Sequence, residues 1–158
     1  MVAPLLLIDG SVNTQSKVGY GAYLLVPDLR LSLKLVRTQV KIRRFEKTSS
    51  TKLELQTLLW ALSDIDLENN FTVYTDSQNI IGLMGRRKRF EQNDYCSKKN
   101  RRLNNYTLYQ EFYRLTDQLN CDFVKVCGHK ISNQKDRIDS LFTLVDRASR
   151  SAMRDDTK

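Results

Sequence analysis

An uninterrupted apolar run near the start of the chain sets the strongest limit on its fold. Leu5–Ile8 contains no polar residue and is followed by Asp9 and Gly10, which predicts a fully buried strand that ends in a turn. Strands of this kind occur where helices cover both faces of a sheet. The run therefore predicts a strand inside a sheet that has helices packed against it.

The spacing of apolar and turn-forming residues predicts five strands and four helices. In chain order they are strands Leu5–Ile8, Gly19–Val26 and Leu31–Arg43, a helix that begins at Thr51, strand Phe71–Thr75, helices Gln78–Met84 and Tyr106–Leu119, strand Asp122–Val126 and helix Gln134–Met153. Three strands in meander followed by β-α-β connections make a mixed sheet with flanking helices, an α/β (α+β) fold. We assign residues 1–153 to a single domain and 154–158 to a short charged tail.

The composition limits the compartment and the class of protein. With 41% apolar residues the chain can build a core, and no apolar run reaches the roughly 18 residues that span a bilayer. Cys96, Cys121 and Cys127 form no C-x-x-C pair, which favours a reducing compartment. Because the chain has one histidine, a zinc site is disfavoured. We expect a cytoplasmic monomer without a membrane segment.

Most of the positive charge lies in one segment. The chain has 26 Lys and Arg against 18 Asp and Glu, a net charge of +8. Residues 86–102 hold eight basic residues against Glu91 and Asp94, so this segment alone carries 8 − 2 = +6. A concentrated basic block attracts a polyanion, and the interleaved aromatic residues are suited either to stacking on bases or to anchoring a helix. The block predicts nucleic-acid binding; a localisation signal, an anionic membrane patch and a solvated loop stay open.

Two aspartates follow predicted strands. Asp9 follows Leu5–Ile8, and Asp76 follows Phe71–Thr75. If these strands are parallel neighbours, their spacing of about 4.8 Å brings the two carboxylates together at the edge where ligands gather. Like charges at that distance are unfavourable unless a cation lies between them. Taken singly, either residue is also an ordinary turn-forming aspartate.

Glu54 lies beside the apolar face of the first predicted helix. It is on the line of Leu58 and Ala61 and so points toward the sheet instead of squarely into water. The segment Thr51–Glu54 also matches a capping box, in which the glutamate folds back onto the backbone N–H of the cap residue. The sequence leaves both interpretations open.

A fourth carboxylate belongs to the last predicted helix. Asp139 lines up with Phe142 and Asp146 at the edge of the apolar face, although alone it is an ordinary surface acid. The candidate metal ligands are then Asp9, Glu54, Asp76 and Asp139. A set of oxygen ligands without a Cys or His cluster favours Mg²⁺ or Mn²⁺. Carboxylates on the rim of a basic surface are typical of two-metal phosphodiester cleavage.

Several motifs carry a family resemblance through their order and placement. They are Ile8–Ser11 with Gly19–Ala22, Leu53–Leu55, Tyr74–Gln78, and Gly128–His129 followed ten residues later by Asp139. Over nearly its whole length the sequence resembles type 1 ribonuclease H. The resemblance implies a five-stranded mixed sheet of order 3-2-1-4-5 flanked by helices. It also implies hydrolysis of the RNA strand of an RNA/DNA hybrid, with 5′-phosphate and 3′-hydroxyl ends.

The resemblance also implies roles for individual residues. The four carboxylates hold two Mg²⁺ ions, for which Mn²⁺ can substitute, and His129 serves proton transfer or product release. The residues implied in substrate binding are Asn13, Ser50, Thr51, Gln78 and, in a basic protrusion near residues 86–105 that grips DNA phosphates, Arg86, Arg87, Lys88 and Arg89. Binding through such a protrusion weakens steeply with salt.

The sequence departs from the family pattern at three places. Val12–Lys17 replaces the usual Gly-Asn-Pro-Gly stretch, Ser50 and Thr51 replace two asparagines, and Lys135–Asp139 replaces Asn-Glu-Arg-x-Asp. Two other functions stay open, a DNA nuclease or junction endonuclease of the same fold and a nucleic-acid-binding module with a degenerate site. Retention of the four carboxylates and the histidine argues against the second of these.

Overall fold

A computed structural model describes residues 3–66, 70–127 and 136–156. The elements are β1 (Leu5–Asn13), β2 (Val18–Val26), α1 (Leu33–Arg37), β3 (Lys41–Phe45), α2 (Ser50–Asp64), β4 (Phe71–Thr75), α3 (Gln78–Gln92), α4 (Tyr106–Gln118), β5 (Cys121–Lys125) and α5 (Arg137–Asp156). The strands form one sheet in the order β3-β2-β1-β4-β5. The predicted fold class and strand order are therefore confirmed.

Strand β1 occupies the centre of the sheet and separates two hydrophobic clusters. It runs antiparallel to β2 and parallel to β4. Because side chains alternate along a strand, Leu6 faces α2, α3 and α4, whereas Leu7 faces α1 and α5. Both side chains are 0% exposed, which explains why the run Leu5–Ile8 is apolar at every position. Among the described helices, none is long and apolar enough to cross a membrane.

Glycines let α2 lie unusually close to the sheet. A Cβ atom added at Gly10 or Gly19 comes within 2.9 Å or 2.8 Å of Leu53, and one added at Gly21 comes within 2.1 Å of Thr57. These separations are shorter than real Cβ contacts. At Gly10 and Gly19 the end of the Leu53 side chain would have to shift, whereas at Gly21 the overlap includes the Thr57 Cβ atom, so only glycine allows the approach there. Thr57 is held in place because its hydroxyl donates to the Leu53 carbonyl at 2.8 Å. The close contact fixes the distance from α2, and hence from Glu54, to the central strand.

The start of α2 differs from the predicted capping box. Ser49, and not Thr51, is the N-cap residue, and its side chain accepts a hydrogen bond from the backbone N–H of Lys52. Glu54 is therefore two positions beyond Lys52, the place where a capping-box glutamate folds back onto the cap. The capping interpretation of Thr51–Glu54 is wrong, and the Glu54 carboxylate is directed elsewhere.

Two strands differ from their predicted bounds. The sequence predicted a turn after Ile8, but β1 continues through Asp9 and Gly10 to Asn13 because it stays paired with β2 along its whole length. The predicted strand Leu31–Arg43 is wrong in its first half, which forms α1. Ser32 caps that helix by accepting from the N–H of Leu35 at 3.1 Å, a local hydrogen bond that the alternation of leucines conceals.

Two helices extend further than expected. Helix α3 continues from Met84 to Gln92, so the first four residues of the basic block are helical. Helix α5 reaches Asp156, inside the segment predicted as a tail. Its end is held because Asp156 accepts hydrogen bonds from Tyr20 at 2.8 Å and Arg44 at 3.1 Å.

We predict that Gly21→Ala lowers the free energy of unfolding by about 2–3 kcal/mol, because the new methyl group overlaps the Thr57 side chain. Urea unfolding followed by circular dichroism measures the loss. Adding Thr57→Ala to the same chain should restore at least half of it, since the overlapping atoms are then removed.

Gly85→Ala is the matched control for this prediction. Gly85 lies inside α3, and a Cβ atom added there has no atom within 4 Å. The substitution should stabilise the protein by about 0.5–1 kcal/mol, as alanine is the better helix former. Equal effects at positions 21 and 85 would show that the close approach of α2 is not what Gly21 provides.

Candidate active site

Three of the predicted carboxylates line one small cavity at the edge of the sheet. Asp9, Glu54 and Asp76 surround it, together with Ile8, Thr57 and Thr75. The register of β1 and β4 explains the meeting of the two aspartates. Leu7 pairs with Tyr74, so two residues further along each strand Asp9 comes level with Asp76. The predicted parallel arrangement of these strands is present.

Glu54 reaches this cavity from α2 through a hydrogen bond to Ser77. The Ser77 hydroxyl donates to Glu54 Oε2 at 2.6 Å and accepts from the backbone N–H of Ile80 at 3.2 Å. Ser77 is buried and is the N-cap residue of α3, so it joins α2 to the end of β4. Burial and the charge of Asp76 raise the pKa of Glu54, while the Ser77 hydrogen bond lowers it. Ser77 was not among the predicted site residues, although a serine directly before a helix signals such a cap.

Asp9 lies in the least favourable electrostatic environment of the site. Burial, a side-chain hydrogen bond to Asp146 and the charge of Asp76 raise its pKa to about 8, and the Gly10 backbone N–H acts in the opposite direction. A hydrogen bond between two carboxyl groups requires a proton on one of them. A cation removes that requirement because it neutralises the like charges. Asp146 is thus a further carboxylate at the site, and its place on the apolar stripe with Asp139 and Phe142 was the sequence signal for it.

Asp139 is buried in the first turn of α5. Its carboxylate accepts from the backbone N–H of Asp136 at 3.2 Å, and Asp136 accepts from the N–H of Asp139 at 2.8 Å. This reciprocal pair begins the helix in the manner of a capping box. Asp139 does not line the cavity of Asp9, Glu54 and Asp76, which Asp146 approaches from two turns further along α5. Its role as a metal ligand stays a prediction.

The donor chemistry of the site fits a divalent cation. The charge of Asp76 raises the pKa of both Asp9 and Glu54, so Asp76 lies near both carboxyl groups. Asp9 also forms a hydrogen bond with Asp146. In the described part of the chain, no three Asp, Glu, His or Cys side chains are gathered tightly enough to hold an ion between them as they stand. Carboxylate oxygens are nevertheless the ligands that Mg²⁺ and Mn²⁺ prefer, and a bound cation would relieve the repulsion that raises the pKa of Asp9.

The other predicted residues occupy different places. His129 lies outside the described residues. Ser50 and Thr51 are exposed in the first turn of α2, on the approach to Glu54. Gln78 is exposed at the start of α3, where its Oε1 accepts from Lys125 Nζ at 2.9 Å. Asn13 shapes the β1–β2 turn, because its Oδ1 accepts from the N–H groups of Gln15 and Ser16.

Two arginines of the basic block make contacts within the protein. Arg87 pairs with Asp117 on α4 at 2.6 Å and with Glu91 at 2.6 Å, and it lies over the Tyr113 ring at 5.1 Å. Arg86 folds back along α3 and hydrogen-bonds the backbone carbonyl groups of Asn79 and Gly82. Their guanidinium groups therefore tie α3 to α4 and to its own first turn.

Exposed basic side chains form a separate group further along this segment. Lys88 and Arg89 are exposed near the end of α3. The segment that follows α3 contains an isolated antiparallel β-bridge, between Cys96 and Arg102, and further basic residues lie beside it. Those residues are Lys98, Lys99, Arg101 and Arg102, all exposed. Phe90 packs on Tyr95 and Tyr109 beneath them, so these aromatic rings anchor the protrusion.

A family assignment agrees with this sheet and its carboxylates. The model of the RNase H family matches residues 3–145. The chain therefore belongs to the RNase H family, a class of nucleases, as the sequence resemblance predicted.

Two of the known proteins that are similar to this chain are a ribonuclease H and a protease-reverse transcriptase. A ribonuclease H of Caldicellulosiruptor saccharolyticus (strain ATCC 43494 / DSM 8903 / Tp8T 6331) is 25% identical over 112 residues, which cover 70% of this chain and 72% of the relative. A solved structure of the foamy viral protease-reverse transcriptase in complex with dsDNA has a TM-score of 0.69 at 10% identity. That match covers 94% of this chain and 95% of the matched chain. At this identity the structural match supports the fold alone.

We predict that Asp9→Asn stabilises the metal-free protein at pH 8. A carboxyl group whose pKa is raised by folding destabilises the native state increasingly as pH rises from about 4, its ordinary range, to about 8. The amide avoids this cost, so in EDTA the variant should gain about 1–2 kcal/mol, roughly 2–8 °C in Tm, at pH 8 and little at pH 4.

Thermal unfolding with and without Mg²⁺ provides the comparison. Mg²⁺ should raise the Tm of the wild type at pH 8 and leave that of Asp9→Asn nearly unchanged. Asp122→Asn, which removes an exposed carboxylate on β5, is the control and should behave as the wild type does. Equal melting temperatures for all three proteins in EDTA at pH 8 would contradict the electrostatic cost assigned to Asp9.

Proposed function

We propose that this protein hydrolyses the RNA strand of RNA/DNA hybrids, leaving 5′-phosphate and 3′-hydroxyl ends, by a mechanism that depends on two divalent cations. One observation carries the proposal: in a chain of the RNase H family, three carboxylates from different elements line one cavity, and a fourth carboxylate contacts one of them. The name of the curated relative, a ribonuclease H, supports the same activity.

The chain supplies the site by positioning carboxylates. Asp9, Glu54 and Asp76 would hold the metal ions, which supply an activated water and a positive charge beside the departing 3′ oxygen. The Ser77 hydroxyl fixes Glu54 Oε2, while the close contact at Gly21 fixes the helix that carries it. Rigid support of this kind keeps the ligands in place without reorganisation during the reaction. His129 is proposed to serve proton transfer or product release.

Helix α5 offers two candidates for the fourth ligand. The family resemblance assigns Asp139, whereas the hydrogen bond to Asp9 favours Asp146. The two residues differ in their surroundings, because Asp139 also caps the start of its helix. We propose Asp146 as the carboxylate that completes the site beside Asp9, and a paired substitution distinguishes it from Asp139.

We predict that Asp9→Asn or Asp76→Asn lowers the Mg²⁺-dependent cleavage rate of an end-labelled RNA/DNA hybrid by at least roughly a hundredfold, because each removes a charged ligand. The far-ultraviolet circular dichroism spectrum should stay that of the wild type. The assay includes RNA/RNA and DNA/DNA duplexes and is run in Mg²⁺ and in Mn²⁺. Cleavage of DNA duplexes at a similar rate would favour the DNA nuclease alternative. Hybrid binding without cleavage in either metal would favour the binding module.

A second prediction separates the two carboxylates of α5. Asp146→Asn should lower the cleavage rate by at least roughly a hundredfold and leave stability equal or higher, since it relieves the contact with Asp9. Asp139→Asn should lower the free energy of unfolding by about 0.3–1 kcal/mol, because it removes the negative charge from the first turn of α5. If Asp139→Asn is the inactive variant and Asp146→Asn is not, the fourth ligand is Asp139.

The contacts of the basic block lead to a third prediction. Replacing Lys88 and Arg89 together by Ala should weaken hybrid binding, because both side chains are exposed and available to phosphates. The slope of log affinity against log salt concentration should become shallower by about two, one for each lost phosphate contact. Arg87→Ala should instead lower stability, since it breaks the links to Asp117 and Glu91. Fluorescence anisotropy at several salt concentrations and urea unfolding measure the two effects. A salt slope unchanged in the double variant would place the DNA strand elsewhere.

A further inference from the structure

A cleft lies beside the carboxylates, between the β1–β2 turn and the last turns of α5. It measures about 530 Å³ and is open to solvent. The side chains that define it are Ser11, Asn13, Gln15, Arg150, Met153 and Arg154. Its lining contains two guanidinium groups and no carboxylate, in a part of the surface outside the basic block at 86–102.

The cleft continues directly from the carboxylate site. Alternate residues of β1 point to the same face, so Ser11 and Asn13 follow Asp9 at steps of roughly 6.7 Å. On α5, Arg150 and Arg154 follow Asp146 at four-residue steps of about 6 Å. The two rows run side by side from the Asp9–Asp146 contact, with nearly equal spacing.

Arg150 connects the site to the cleft. Its Nε lies 3.1 Å from Asp146 Oδ1, and its side chain is 56% exposed, so the pair leaves much of the guanidinium group open to a ligand. Arg154 lies one turn further, where it donates to Ser151 Oγ at 3.0 Å. A guanidinium group presents several donors in one plane and suits the oxygens of a phosphate.

The other side of the cleft is polar and rigid. The Oδ1 atom of Asn13 accepts from the N–H groups of Gln15 and Ser16, so the turn is held in place and the amide NH₂ of Asn13 is the part of this side chain that can donate to a ligand. Met153 adds an apolar surface between the two arginines of the lining. A cleft with cationic donors, amide and hydroxyl groups and an apolar patch matches the mixed surface of a sugar-phosphate strand.

We propose that this cleft binds the backbone of the cleaved strand beyond the scissile phosphate, with Arg154 as the principal phosphate contact. The proposal rests on the proposed function, because it uses the carboxylate site as the point where the strand is cut. It adds a second phosphate-binding region, on the opposite side of the site from α3, that holds the strand in line with the carboxylates.

Equilibrium binding tests the proposal without catalysis. In an Asp76→Asn background and without metal, Arg154→Gln should weaken binding of a fluorescent RNA/DNA hybrid by about tenfold and make the salt slope shallower by about one. Arg147→Gln is the matched control, since Arg147 is an exposed arginine of the same helix that lines a different groove beside Ile42. The control should change the affinity less than twofold.

The other outcomes each have one meaning. Equal affinities for Arg154→Gln and Arg147→Gln overturn the cleft proposal, provided that urea unfolding shows both variants folded. If Arg154→Gln weakens the direct binding of inorganic phosphate but leaves hybrid binding unchanged, the cleft binds small anions only and the proposal is also overturned.

Cleavage by the unmodified chain separates this proposal from the proposed function. If the unmodified chain cleaves the hybrid and Arg154→Gln weakens binding no more than Arg147→Gln does, the nuclease proposal stands and the cleft proposal is overturned. Absence of cleavage together with a specific binding loss removes the nuclease proposal and leaves the cleft as a nucleic-acid-binding surface.

Discussion

The close contact between α2 and the sheet is the constraint on which the site depends. Where Gly21 faces Thr57, a single methyl group would force the helix away from the central strand. Glu54 belongs to that helix, while Asp9 belongs to β1, so their separation is set by the packing of the Leu53 and Thr57 side chains directly against the backbone of β1 and β2. A core packed in this way transmits small changes in volume directly to the site. The same glycines that shape the core therefore also determine where the carboxylates meet.

The site concentrates negative charge inside a basic protein. The ionised form of Asp9 is disfavoured by burial and by the neighbouring carboxyl groups of Asp146 and Asp76, although the net charge of the chain is +8. The sequence made Asp9, Glu54 and Asp76 predictable because each follows or borders an apolar pattern. Asp146 was not singled out, because the spacing from His129 favoured Asp139, and only tertiary contacts show which turn of α5 lies against β1. Ser77 was missed for the same reason, since its partner is distant in the chain.

Most of the fold could be predicted because the apolar runs mark the buried strands. The errors occurred where a local hydrogen bond or a distant partner outweighed the pattern. Leucine alternation predicted a strand where Ser32 caps a short helix. Gly10 was interpreted as a turn residue, whereas it lies inside β1, where the absence of a side chain leaves room for Leu53. The part of helix α3 beyond Met84 is supported by the ion pair of Arg87 with Asp117 on α4, which the sequence of α3 alone does not reveal.

The position of β1 also has a consequence for the order in which the protein folds. Its antiparallel partner β2 is adjacent in the chain, whereas its parallel partner β4 is reached only after α1, β3 and α2. Closing that long loop costs entropy before any β1–β4 contact compensates for it. We expect the hairpin to form early and Asp9 to meet Asp76 late. Pulsed hydrogen exchange would reveal this order as earlier protection of the Leu7 amide, which faces β2, than of the Tyr74 amide, which faces β1. The proposed site for a divalent ion between Asp9 and Asp76 would then be assembled only in the final stage of folding.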